Sequence, residues 1–215
     1  YFDNAATTYC KPHGMYQFMV DYMENFGGNS GRGEYMSAQN AGALVRETRN
    51  LMLELTHCMG REEVVFTPSA TIALNTVLRG ISLSPSCCVY ISHFEHNAVL
   101  RVLYELQTKI GFEIAYLPIA EDLNYNLAEI EKDFEKKKPK VVIISQVSNV
   151  CGLIAPVQEI SMLAKKYNAV TVVDASQACG VIDVVLNYID YYIFAGHKTL
   201  LGPFGIAGFI CKKNT

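Results

Sequence analysis

From residue 63 onward, short runs rich in Val, Ile, Phe and Tyr alternate with helical patterns, and that alternation leaves few folds open. "EVVFT" (63–67) reads as a strand and is followed by "SATIALNTVLRGI", in which Ile72, Leu74, Val77, Leu78 and Ile81 recur at near-helical spacing. "CCVYIS" precedes a helix from about His96 to Lys109 that turns Val99, Val102, Leu103 and Leu106 inward. "FEIAYLPI" precedes a helix over 126–137 ending in lysines, and "KVVIISQVS" precedes one over 156–167 with Pro156 in its first turn. "AVTVVDAS", "IDYYIFAG" and "GIAGFIC" complete seven strands. Strands alternating with helices predict an α/β fold with a mostly parallel sheet, and unbroken runs such as "VVIIS" and "VTVVD" predict strands covered by helices on both faces.

Residues 1–60 differ in character. "DNAATT" and the glycine-rich "FGGNSGRGEY" read as loops, with helices from about His13 to Asn25 and from about Ser37 to Cys58. The expected division is therefore an N-terminal loop and helical segment over 1–60 and a strand-helix domain over 61–215. Half of the 215 residues are apolar and 18% are charged, enough to build a packed core. A net charge of -3, with one basic run ("EKKKPK") that reads as a solvated helix end, argues against nucleic acid as a partner. No apolar run reaches the ~20 residues needed to cross a bilayer. The seven cysteines are scattered without metal-site spacing, and adjacent Cys87 and Cys88 read as small apolar residues, not a disulfide. A soluble protein of the reducing cytoplasm, with no membrane or metal role, is the expectation. A start at Tyr1 and an end at "CKKNT", directly after a strand-like run, point to a piece of a longer chain.

Ligands of open parallel sheets sit at the carboxyl ends of the strands, so the residues just past each strand are informative. Ser69-Ala70-Thr71 come after the first, His96 after the second, Asn149 after the fourth, Asp174 and Gln177 after the fifth, and His197-Lys198 after the sixth. Ser69 to Thr71 at a helix start would suit a phosphate, or would simply cap the helix. His96 would stack on a flat cofactor, or cap the next helix. A carboxylate at Asp174, ending a buried Val run, needs a partner: a protonated ring nitrogen, a salt bridge or an Asx-turn. Gln177 and Asn149 would reach ring substituents. Lys198, in a glycine-bounded turn, would serve as an imine-forming amine, or lie on a surface loop. His197 would sit near the phosphate or pack.

The motifs "YFDNAATT", "GGNSGRGEYMSAQNAG", "FTPSATIALNTVL", "EHNAVLR", "VSNVCG", "VVDASQACG" and "FAGHKTLLGPFGIAGF" resemble, in order, the class V aminotransferase-fold enzymes that use pyridoxal 5'-phosphate (PLP), in particular the cysteine desulfurase and selenocysteine lyase branch. The resemblance covers nearly the whole chain and implies the fold type I large domain. It implies that Lys198 carries PLP as an internal aldimine and later shuttles a proton, that Asp174 pairs with the pyridine nitrogen and that Gln177 touches the ring oxygen. His96 would stack on the ring and act in catalysis, Ala70, Thr71 and His197 would hold the phosphate, and Asn149 would lie near the ring substituents. The implied reaction removes sulfur or selenium from cysteine or selenocysteine to leave alanine, in a homodimer that passes sulfur to an acceptor protein.

Two departures qualify it. Where relatives often carry Ser or Thr two residues before the histidine, this chain has Ala195, which removes a hydroxyl. Family members are also longer, with a C-terminal small domain that carries the substrate-carboxylate arginine and the desulfurase loop cysteine; both would lie beyond Thr215, and none of the seven cysteines falls where that nucleophile is expected. Cys151 and Cys179 come after strand ends but read as small filler. Another class V PLP reaction, of aminotransferase or kynureninase-like type, and a non-catalytic remnant acting in dimerisation stay open.

Overall fold

The computed structural model describes residues 1–58 and 60–213; Asn214 and Thr215 of the terminal "CKKNT" lie outside them. Helices α1 (His13–Asn25) and α2 (Met36–Leu55) precede a strand-helix alternation. It runs β1 (Glu62–Thr67), α3 (Ala70–Gly80), β2 (Cys88–Ile91), α4 (Asn97–Ile110), β3 (Glu113–Tyr116), α5 (Leu127–Lys136), β4 (Val141–Ser145), α6 (Val157–Lys165) and β5 (Val170–Asp174). A 3-10 turn at Leu186–Tyr188 leads to β6 (Tyr191–Ala195) and β7 (Ala207–Lys212). The seven strands form one sheet in the order β1-β7-β6-β5-β4-β2-β3. Only β7 runs against its neighbours, β1 and β6, and the remaining pairs are parallel.

The unbroken apolar runs explain the layering. Along β4, Val142 and Ile144 join one core with Phe134 of α5 and Ile160 of α6, while Val141 and Ile143 join the other with Leu74 of α3 and Leu103 of α4. Every residue of β4 is buried, as a strand covered on both faces must be. Each such aliphatic side chain contributes about 1.5–3 kcal/mol relative to exposure. Side-chain caps open α3 and α5: Ser69 accepts from the Ile72 amide before α3, and Asn126 accepts from the Glu129 amide before α5. Gly111 closes α4 at φ 88°, where a residue with a Cβ would be strained.

The structure shortens several sequence-derived elements. "KVVIISQVS" is a strand only to Ser145, because Ser148 N then donates to Leu153 O and Ala155 N to Gln146 O, folding residues 146–155 into a loop of their own. "FEIAYLPI" keeps four residues as the edge strand β3, which leaves the sheet once Leu117 N has donated to Ile91 O. α2 ends at Leu55, short of Cys58. Pro156 stands at the N-cap of α6, not inside its first turn.

Candidate active site

The parallel strands bring the carboxyl ends of β1, β2, β4, β5 and β6 to one edge, where a cleft of about 570 Å3, counting its open mouth, lies. All nine residues singled out at the strand ends line it: Ser69, Ala70, Thr71, His96, Asn149, Asp174, Gln177, His197 and Lys198. Ser145, Ser176 and Ala195 line it as well.

Lys198 stands in a turn built around two glycines. Gly196 N donates to Ile206 O and Gly202 N to Gly196 O. A Cβ on Gly196 would come within 2.7 Å of the Ile206 carbonyl oxygen, so the turn admits no side chain there. The Lys198 Nζ forms no hydrogen bond or ion pair with any described residue. Burial lowers its pKa, with the Asp174 carboxylate acting in the opposite sense. An amine of lowered basicity and no partner is a better nucleophile than a solvated surface ammonium.

Asp174 ends β5 and is 6% exposed. Its Oδ1 accepts from Ser176 N at 3.0 Å and Ser176 Oγ at 2.6 Å, the Asx-turn that the sequence leaves open. It forms no ion pair among the described residues. A buried carboxylate with two neutral donors, and no ion pair among the described residues, can accept a cationic group of a ligand.

The first turn of α3 presents the Ala70 and Thr71 amides, which have no intrahelical acceptor, at the positive end of the helix dipole. Ser69 caps that helix through Ile72 N at 3.2 Å. His96 caps α4: its Nδ1 accepts from Ala98 N at 3.1 Å, which puts the neutral ring's proton on Nε2 while the ring still lines the cleft. Capping and facing a ligand are thus compatible at both positions. His197 packs tilted on Phe204, and its pKa is lowered by burial and then by the charges of Lys198 and Lys11.

The N-terminal segment straps the lysine turn. Thr8 Oγ1 donates to Lys198 O at 2.6 Å, and Thr7 Oγ1 donates to His197 O at 3.0 Å. Lys11 Nζ also donates to His197 O, and Gln177 Nε2 donates to Ala5 O at 2.7 Å. These contacts span 172 to 190 residues of sequence, so no local pattern predicts them. Glu95 is an acid that the sequence did not single out: it precedes His96 in the chain and lies buried, bonded to Ser92 and Ser145. Cys151 is exposed and Cys179 buried, and neither lines the cleft. All seven cysteines are free.

The family model described as "Aminotransferase class-V" matches residues 1–215. The chain belongs to the class-V aminotransferase family. A curated relative named "Probable cysteine desulfurase" from Halalkalibacterium halodurans is 31% identical over 99% of this chain and 53% of its own length. A "Cysteine desulfurase" from Haloferax volcanii is 30% identical over 100% of this chain and 51% of its own. The solved apo structure of a cysteine desulfurase from Thermococcus onnurineus superposes with a TM-score of 0.91 at 29% identity, covering 99% of this chain and 53% of that one. The chain therefore spans about half the length of the curated class-V relatives it matches, and its sheet is that of the fold type I large domain.

Proposed function

We propose that this chain is the cofactor-binding part of a PLP-dependent, cysteine desulfurase-like enzyme that takes sulfur or selenium from cysteine or selenocysteine and leaves alanine. The observation that carries the reading is one cleft holding a half-buried lysine amine and a buried carboxylate, neither with an ion pair among the described residues. The family, and relatives named cysteine desulfurase, support this reaction over other class-V chemistries.

The residues present fit PLP on their own chemistry. Lys198 is the point of covalent attachment. Once free, its Nζ takes up and returns a proton at the substrate's α-carbon, which its lowered basicity favours. Asp174 supplies the negative charge that keeps a pyridine nitrogen protonated. The Ala70 and Thr71 amides at the start of α3, with His197, hold the phosphate. Ala195 lies at the cleft without a hydroxyl, so that hold rests more heavily on the helix start. His96 gives its ring face to the cofactor and acts in catalysis from there, while Asn149 and Gln177 bond ring substituents. PLP, when bound, supplies the electron sink for the pair released when a bond to an amino acid's α-carbon breaks. Residues 1–60 serve as a segment that completes the site and a homodimer interface, and residues 61–215 as the PLP domain. Cytoplasmic location and transfer of sulfur to an acceptor protein belong to the same reading.

The test is an absorbance spectrum of the purified chain with PLP before and after borohydride, with mass mapping of the reduced product. A band that reduces onto Lys198 is expected. Reduction onto other lysines alone, or no band, would overturn the assignment and leave a non-catalytic role in dimerisation.

A further inference from the structure

Glu95 is 9% exposed, and its carboxylate takes three hydrogen bonds from two elements. Its Oε1 accepts from Ser92 Oγ at 2.5 Å and from Ser145 N at 2.6 Å, while Oε2 accepts from Ser145 Oγ at 2.9 Å. Ser92 comes directly after β2, and Ser145 ends β4 and lines the cleft. Glu95 immediately precedes His96 in the chain, and Ser145 pairs in register with Asp174. One side chain thus clasps the loop that carries the cleft histidine to the strand beside the cleft aspartate.

We infer that Glu95 is a positioning residue for the cofactor cleft: its ionised carboxylate fixes His96 and the Ser145 hydroxyl, and sets a second negative charge behind Asp174. This inference rests on the PLP reading. The donor pattern favours the ionised form, since all three partners donate. If Oε2 is protonated it must donate to Ser145 Oγ, and the serine's own hydrogen then turns elsewhere. The titratable groups acting on Glu95 are Asp174 from β5 and Tyr125 from the segment before α5, whose phenol burial pushes up to about 12. Burial raises the Glu95 carboxyl to about 7, and the Asp174 charge adds to that rise. A cation bound opposite Asp174 offsets this repulsion, so cofactor binding and Glu95 ionisation favour each other reciprocally.

The experiment has a cofactor-free and a cofactor-bound arm. In the free chain, the Ser145 amide proton followed by NMR should shift with an inflection near neutral pH, and Glu95→Gln should remove that inflection while keeping the dispersed spectrum of a folded protein. With PLP at pH 8, read by induced circular dichroism, Glu95→Gln should bind roughly fivefold more weakly than the wild type, as expected for the loss of one ordinary hydrogen bond. Ser145→Ala should lose a similar factor, and the double variant little more than either single one, because the two act as one unit. A Glu95→Gln protein with wild-type PLP affinity, or losses that multiply in the double variant, would overturn the inference alone. A wild type with no product reducible onto Lys198 would overturn the PLP reading and this inference with it. Should Glu95→Gln fail to fold, Ser145→Ala carries the same comparison, and unchanged affinity there has the same meaning.

Discussion

Two aspartates mark opposite ends of the central sheet. Asp190 stands just before β6, at the amino edge, and accepts from Lys165 Nζ at 2.5 Å, from Thr171 N at 2.8 Å and from Thr171 Oγ1 at 3.2 Å. Lys212 Nζ lies at 4.0 Å from its other oxygen. Asp174 ends β5, at the carboxyl edge, with Ser176 as its donor and no cation among the described residues. The same contrast holds for the lysines: Lys165 is paired, whereas the Nζ of half-buried Lys198 has no hydrogen bond or ion pair among the described residues. One edge is satisfied by the chain's own groups. The other leaves opposite charges in one cleft without joining them, as a site must if a ligand is to fit between them.

Exchanging the two lysines for alanine is the sharpest way to break this contrast. Lys198→Ala should abolish borohydride-reducible PLP attachment and change unfolding free energy by less than about 1 kcal/mol, since its Nζ has no native bond to lose. Lys165→Ala should leave attachment intact and cost about 1–2 kcal/mol, because it strips Asp190 of its closest cation. Mass mapping and urea denaturation read the two effects separately, and a Lys198→Ala protein as destabilised as Lys165→Ala would erase the distinction.

The next effect is a pH slope that Glu95 sets at the cleft edge. Glu95 in the folded chain holds its proton up to about pH 7, against an ordinary carboxyl value of 4.5. Between those two pH values the folded state binds more protons than the unfolded state, so stability falls as pH rises and levels off above about 7. The full drop is on the order of 3 kcal/mol. Urea unfolding at pH 5 and pH 8 should show it in the wild type and not in Glu95→Gln. The cleft would then be a place where the fold gives up stability for an arrangement that the ligand uses.

Asparagine at each aspartate separates the ends further. Asp190→Asn should lower stability by about 1–2 kcal/mol and leave cofactor binding alone. Asp174→Asn keeps an oxygen for Ser176, so stability should stay within about 1 kcal/mol. Bound PLP labelled with 15N should then show an unprotonated pyridine nitrogen in place of the protonated one. A protonated nitrogen in Asp174→Asn would mean that another group faces the ring.

How much of this was legible depends on the range over which each feature is encoded. Strand-helix alternation is local, and in a parallel sheet it dictates that residues just past the strands share an edge. Asp174, Lys198 and the other seven residues past the strand ends therefore come together as their positions imply. Glu95 is hidden because a lone acid in "HFEHNA" reads as solvated, and its partner Ser145 sits 50 residues away inside a run that reads as one continuous apolar strand. The strap over the lysine turn is hidden for the same reason, at 190 residues' separation. What is illegible is the layer behind the cleft, whose hydrogen bonds join elements that only the tertiary fold makes neighbours.

That strap gives the smallest and most local test. Thr8 Oγ1 donates to the carbonyl of Lys198 itself, so Thr8→Val removes one bond at nearly constant volume. The expected cost to stability is about 1 kcal/mol. If the strap merely covers the turn, the loss ends there. If it sets the approach of Nζ, the rate of covalent PLP attachment, followed by stopped-flow absorbance, should fall several-fold while the final extent stays near that of the wild type. An unchanged rate would assign the aim of the lysine to Gly196, Gly202 and Ile206 alone, the contacts that close the turn from within the sheet.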